Sequence, residues 1–198
     1  MTDDLGRTTW PEADGRPLLL VPVGSVEQHG PALPLTTDTI VAEAVAREAA
    51  ARLRATGRSV LVAPAVAYGA SGEHEDFAGT VSVGHQALGV LLVELGRSAS
   101  QWASAVVLVN GHGGNVPTVA SAVDRLRAEG RAVSWASCAA PGSDAHAGLT
   151  ETSLLLHLAP EVVRVDLLEP GDVRPVTELM PALRSEGVRA VSANGVLG

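Results

Sequence analysis

The stretch Leu18-Leu19-Leu20-Val21-Pro22-Val23-Gly24-Ser25-Val26-Glu27-Gln28-His29-Gly30 passes directly from an apolar run into a glycine, a carboxylate and an imidazole. A short, unbroken apolar run of this kind reads as a strand covered on both faces, as in a parallel sheet. Glu27 and His29 stand at i and i+2, and on an extended backbone such side chains point to the same side. Asp38 follows where a helix should begin.

Working outward, the same alternation recurs. Apolar strand-like runs cover 60–66, 105–109 and 132–136. Helical patterns cover 39–54, 85–103, 116–129 (ended by Gly130) and 150–158 (stopped at Pro160). Strands alternating with helices imply right-handed crossovers and a parallel sheet. The expected fold class is therefore α/β, in three layers, with a mostly parallel central sheet and helices on both faces. Beyond about residue 160 the pattern weakens. Residues 167–175 read as an irregular excursion and 178–184 as a short helix. The 198 residues form one domain on this reading, long enough to bury a full core.

Ligands of an open parallel sheet bind beyond the carboxyl ends of its strands. Glu27 and His29 follow the first strand. His112, in Asn110-Gly111-His112-Gly113-Gly114-Asn115, follows the third. Asp144-Ala145-His146-Ala147-Gly148 and Glu151 follow the fourth. Segments far apart in sequence thus send polar residues to one edge. Two carboxylates and two imidazoles gathered there suit a divalent metal, and a carboxylate able to bridge allows two.

Each residue also has an ordinary reading. Glu27 and His29 alone would be a solvated loop pair. Asp38 is a good helix N-cap. Asn115 reads as the N-cap of the third helix. Glu151 suits the first turn of a helix. His74, in Ser71-Gly72-Glu73-His74-Glu75-Asp76, lies on a polar loop at the same edge, where a role toward substrate or behind the ligands and a solvated loop are equally compatible with the pattern. His85 and His157 read as structural and Cys138 as a buried thiol.

Composition narrows the classes. Aromatic residues are 3% and hydrophobic residues 46%, so the core must be built from Ala, Val and Leu. The net charge of −8, with no Lys/Arg run, argues against nucleic acid as a partner. A single cysteine excludes an intramolecular disulfide and a four-cysteine zinc site. No apolar stretch reaches the length of a membrane span, about 18 residues. The acidic start of the chain does not resemble a signal peptide. The expectation is a soluble, cytoplasmic protein with no membrane partner.

Taken together, Val21 to Gly30, Leu35-Thr36-Thr37-Asp38, His74 with Phe77-Ala78-Gly79-Thr80, and Asn110 to Asn115 resemble the creatininase family of metal-dependent amidohydrolases. Tyr68 to His74, Asp144 to Gly148 with Glu151-Thr152-Ser153, and Ala190 to Gly198 are similar to its peptidase subgroup from the mycofactocin system. The resemblance implies two divalent metal ions, Zn, Fe or Mn, with Glu27, His29, Asp38 and His112 as ligands and Asp38 bridging. Creatininase itself carries a glutamate where this chain has Gly114, and the resemblance makes Glu151 the replacement ligand. His146 matches the segment of the catalytic histidine. His74 and Glu73 are expected to bind substrate. The subgroup implies release of a C-terminal Val-Tyr-derived unit from a modified precursor peptide, by a homo-oligomer that in the family is often a hexamer. The family also continues into a further C-terminal segment, which this chain is expected to lack. Two alternatives remain at this stage: hydrolysis of a small creatinine-like or formamide substrate, and a non-catalytic interaction subunit.

Overall fold

The computed structural model describes residues 4–140 and 142–198. Residues 1–3, which begin the acidic N-terminus, lie outside the described residues. Four strands, β1 (Leu18–Val23), β2 (Val60–Val62), β3 (Ala105–Asn110) and β4 (Val133–Ser137), form one sheet in the order β2-β1-β3-β4. Every pairing is parallel, with Leu18 opposite Val60 and Ala105, and Val106 opposite Val133. The helices are α1 (Trp10–Ala13), α2 (Thr37–Ala55), α3 (Gly84–Ala99), α4 (Val116–Ala128), α5 (Leu149–Leu158) and α6 (Val176–Glu186).

Strand periodicity builds the layers. Leu19, Val21 and Val23 project to one face of β1, where they pack with Leu88 and Leu92 of α3 and Val119, Val123 and Leu126 of α4. Leu20 projects to the other face with Val60, Val62 and Val109, against Ala46 and Ala50 of α2. The small alanines let α2 lie close to the sheet. Leu155 of α5 then packs on Val41 of α2 outside it. Each fully buried Leu or Val contributes about 1.5–3 kcal/mol relative to exposure.

The second strand is shorter than the 60–66 run predicts. Even-numbered residues of β1 bond toward it: Leu18 N–H donates to Ser59 O at 2.9 Å, and Ala63 N–H to Leu20 O at 2.8 Å. The next bond comes from Val66 N–H to Pro22 O at 2.9 Å. One extra residue of the second strand is thus skipped where Pro22 and Pro64 both lack an N–H, which is a bulge that ends regular pairing. The other expected strands and helices are present with shifted ends. α3 stops at Ala99, and the irregular segment after residue 160 includes α6. Among the described residues, no helix is long and apolar enough to cross a membrane.

The final residues return to the strand ends. Leu197 pairs with His146 in an antiparallel bridge, Leu197 N–H donating to His146 O at 2.8 Å and Ala145 N–H to Leu197 O at 3.1 Å.

Candidate metal centre

Beyond Val23 the chain leaves the sheet and makes only isolated bridges, at Val26 and at His29. The same-side argument for an extended strand therefore does not describe Glu27 and His29. Their side chains still reach one centre, because the loop doubles back toward α2. His29 Nδ1 lies 3.1 Å from the Glu27 main-chain oxygen. A carbonyl only accepts, so Nδ1 carries the hydrogen. Nε2 then faces Asp38 Oδ1 at 3.3 Å and Glu151 Oε2 at 3.8 Å.

Asp38 is not the N-cap of α2; Thr36 holds that place. One step into the helix, the carboxylate points into the centre with its two oxygens divided. Oδ1 faces His29, while Oδ2 accepts Ser25 Oγ–H at 2.5 Å and lies 3.4 Å from His112 Nδ1. That division is what a bridging carboxylate needs. The loop after β3 reaches it because Gly111 has no side chain: a Cβ there would collide with the Asp38 carbonyl oxygen.

His112 sits with Nδ1 3.1 Å from Glu27 Oε1, and with Nε2 3.2 Å from the Ala70 carbonyl. His146 repeats the arrangement, with Nε2 2.8 Å from the Gln28 carbonyl and Nδ1 3.7 Å from Glu27 Oε1; Gln28 Nε2, 3.0 Å from the same Nε2, has only two hydrogens, which His74 Nδ1 and the Gly195 carbonyl take. In His29, His112 and His146, one ring nitrogen is thus anchored on a backbone carbonyl and the other is turned inward. This is how metal-ligating imidazoles are fixed in tautomer and orientation. His74 is different. Its Nδ1 lies 2.9 Å from Gln28 Nε2, an amide that only donates, so its Nε2–H is what faces Glu27 Oε1 at 3.4 Å. His74 presents a hydrogen rather than a lone pair to the centre.

Glu151, in the first turn of α5, accepts Ala147 N–H at 2.6 Å through Oε2. Ala147 adopts φ 55°, a left-handed conformation costly for a residue with a Cβ, and this bends the loop inward.

Glu27 is fully buried, and neither carboxylate oxygen has a hydrogen-bond partner among the described residues. Leaving a charged carboxylate so costs more than a lost neutral bond, which demands an explanation. A cation supplies one. Among the described residues, three groups have ligand atoms within 4.8 Å of one another: Glu27–Asp38–His112, His29–His146–Glu151 and Glu27–His74–His146. Mixed carboxylate and imidazole donors fit Zn, Fe or Mn. The third group fits least, because of the His74 hydrogen.

The electrostatics agree. Burial alone pushes the Glu27 carboxyl up, yet His112, His74 and His146 outweigh it and hold the group well below the usual range. Burial opposes the charge on His29, but Asp38, Glu151 and Glu27 raise it to about 9. His112 is likewise raised to about 10, by Glu27, Asp38 and Glu73 against burial. His146 goes the other way: burial, then His29 and His74, hold it well below its ordinary value. Burial raises Glu151 to about 7, with His29 opposing and Asp38 reinforcing.

The structure brings all the expected residues together, with changes of detail. His74 is buried, at 3% exposure, rather than lying on a solvated loop. Asn115 holds the N-cap position of α4 as expected, but its side chain makes no capping bond. Its side chain accepts Ala70 N–H at 2.8 Å and donates to Gly24 O at 3.0 Å, tying three strand-end loops together. Cys138 is half-buried between two apolar clusters, and burial raises its thiol to about 11. His85 bonds Thr118 Oγ1 at 2.8 Å, whereas His157 is exposed. The sequence reading missed Ser25 and Gln28 as supports. Their signal was their place inside the quoted stretch, on either side of Glu27.

Residues 6–198 match the family model described as Creatininase: Creatinine amidohydrolase. The chain belongs to the creatininase family. Among its relatives, the mycofactocin precursor peptide peptidase of Mycobacterium ulcerans is 55% identical over 96% of this chain and 76% of its own. That of Mycolicibacterium smegmatis is 59% identical over 92% of this chain and 74% of its own. Among solved structures, a mutant creatininase of Zn–Zn type superposes with TM-score 0.75 at 27% identity, and a Mn creatininase with TM-score 0.75 at 28% identity. Both alignments cover 100% of this chain and 88% of the other. The α/β fold and amide-bond hydrolysis are therefore those of this family.

Proposed function

We propose that this chain is a metal-dependent peptidase that releases the C-terminal Val-Tyr-derived unit of the modified mycofactocin precursor peptide. The observation that carries the chemistry is the buried Glu27 carboxylate, without a hydrogen bond and faced by three imidazoles. The peptide substrate rests on relatives 55% and 59% identical that bear that name.

On this reading Asp38 would contribute to holding both of two divalent ions. Glu27 and His112 would hold one with it, while His29 and Glu151 would hold the other. Such ions polarise an amide carbonyl and lower the pKa of water. Ser25 keeps Asp38 oriented through its hydroxyl. His74 turns its Nε2–H toward Glu27 Oε1 at 3.4 Å, an electrostatic contact without hydrogen-bond geometry. His146 is kept neutral, its Nε2–H is committed to the Gln28 carbonyl, and its Nδ1 is open toward the centre. Nδ1 takes a proton as water adds to the carbonyl and returns it to the departing nitrogen, a role contributing about 10²–10⁴-fold. Glu73 and Glu151, the partly exposed carboxylates of the cluster, mark the side from which substrate enters.

We extend the proposal to assembly as a homo-oligomer, supported by Leu154, Leu156 and Leu158, which α5 leaves exposed. The test of function is mass spectrometry of the modified precursor incubated with metal-loaded protein. Release of the C-terminal unit is expected. An intact peptide, with turnover of creatinine or a formamide instead, would contradict the proposal.

A further inference from the structure

Gly114 leaves a gap beside His112. A Cβ at that position would collide with Glu73 Oε1 and with His112 Nε2, and would lie 2.8 Å from the Ala70 carbonyl oxygen. The space is filled by a carboxylate from another segment, the short 3-10 turn Gly72–His74 that follows β2. Glu151, expected to replace a glutamate at position 114, stands instead on the His29 side of Asp38.

Glu73 Oε1 lies 3.5 Å from His112 Nε2, beside the Ala70 oxygen at 3.2 Å from the same nitrogen. Both oxygens call for a hydrogen on Nε2. Nδ1 is then the ring nitrogen left for a cation, directed at Glu27 Oε1 and Asp38 Oδ2. A carboxylate behind a ligating imidazole fixes the ring and strengthens its donor nitrogen.

We propose that Glu73 is a positioning residue for His112, and that Glu73 and Gly114 form a steric pair in which the carboxylate of one occupies the room left by the other. This rests on the metal reading above. It differs from a substrate role for Glu73, which would leave the ions untouched. It also gives Gly114 a reason that does not depend on backbone freedom.

The experiment is a competition titration of Zn²⁺ against a chromophoric chelator, using the full chain and its variants, with far-UV circular dichroism to confirm folding. Glu73→Gln keeps the shape and removes the charge. One of two ions should bind about 10–100-fold more weakly, with the other unchanged. KM at saturating metal should not move. Gly114→Ala should weaken the same ion, and by less in a Glu73→Ala background than in the unmodified protein, where it displaces the carboxylate as well as pressing on His112 Nε2. Unchanged Zn²⁺ affinity with a raised KM in Glu73→Gln would overturn the proposal and return Glu73 to the substrate. Additive effects of Gly114→Ala and Glu73→Ala would overturn the steric pairing. Two ions bound by the unmodified protein in either case would leave the metal reading standing. If the unmodified protein binds none, the metal reading fails first and this inference with it.

Discussion

Residues 25–38 supply Ser25, Glu27, Gln28 and His29 from the loop between β1 and α2, and Asp38 from the first turn of α2. His146 comes from the loop between β4 and α5, which is held from outside by the chain's last residues, and Glu151 from the first turn of α5. In the first region the supports travel with the ligands. Ser25 steadies Asp38, and the Glu27 carbonyl orients His29. In the second, His146 depends on Gln28 at one ring nitrogen and on the Leu197 bridge along its backbone. Damage to the first region should therefore remove metal, whereas damage to the supports of the second should misplace a proton carrier and leave the metal in place.

The largest effect should come from Asp38→Ala. Both ions depend on this carboxylate, so elemental analysis should find neither and turnover should be lost. Full metal content in an active variant would break the comparison at its first term.

Glu151→Gln and His146→Ala separate roles within the second region. Glu151→Gln should lose or loosen one ion, because the shape remains and the anionic charge does not. His146→Ala should keep both ions and lose about 10²–10⁴-fold in turnover. Metal loss in His146→Ala beside full metal in Glu151→Gln would exchange the two roles.

Gly195→Ala probes the support without touching the centre. A Cβ at Gly195 would strike the Gln28 side-chain oxygen, and Gln28 Nε2 donates to the Gly195 carbonyl at 3.1 Å. Displacing the Gln28 side chain, whose Nε2 rests 3.0 Å from His146 Nε2, shifts His146, and a misplacement of about 1 Å can cost up to about 10²-fold in turnover. Metal content should stay unchanged. Loss of an ion here would show that the C-terminal segment supports the ligands as well.

The smallest effect is a pH dependence. His29, raised to about 9, and His112, raised to about 10, carry protons at neutral pH in the ion-free protein. A cation must displace them, so affinity should rise with pH by up to about tenfold per unit for each proton released. The sign for stability is opposite. Both imidazolium contributions are fully present below the unfolded value, about 6.5, and are lost as pH rises through 9 and 10. The chelated protein should accordingly melt lower at pH 9 than at pH 7, as calorimetry would show. A flat affinity between pH 6 and 8 would mean that the imidazoles enter the centre already neutral.

The sheet and most of the ligands were legible because two periodicities carried them. Unbroken apolar runs marked the strands, and polar residues at the run ends marked the edge. β2 was overread because an apolar composition does not reveal that Pro22 and Pro64 face each other across a ladder. His74 was placed at the right edge but left open between the site and solvent, because burial of a polar loop is a tertiary outcome. Its neighbours Gln28 and Glu27 lie some fifty residues away in sequence. The same holds for Glu73 at Gly114 and for the C-terminal residues at His146. None of these contacts has a local period to announce it.

The account centres on two ions shared by Asp38. Anomalous diffraction from crystals of the metal-loaded protein tests this most directly. Two peaks are predicted, one among Glu27, Asp38 and His112, and the other among His29, Asp38 and Glu151. A single peak among Glu27, His74 and His146, with Asp38 coordinating nothing, would contradict it.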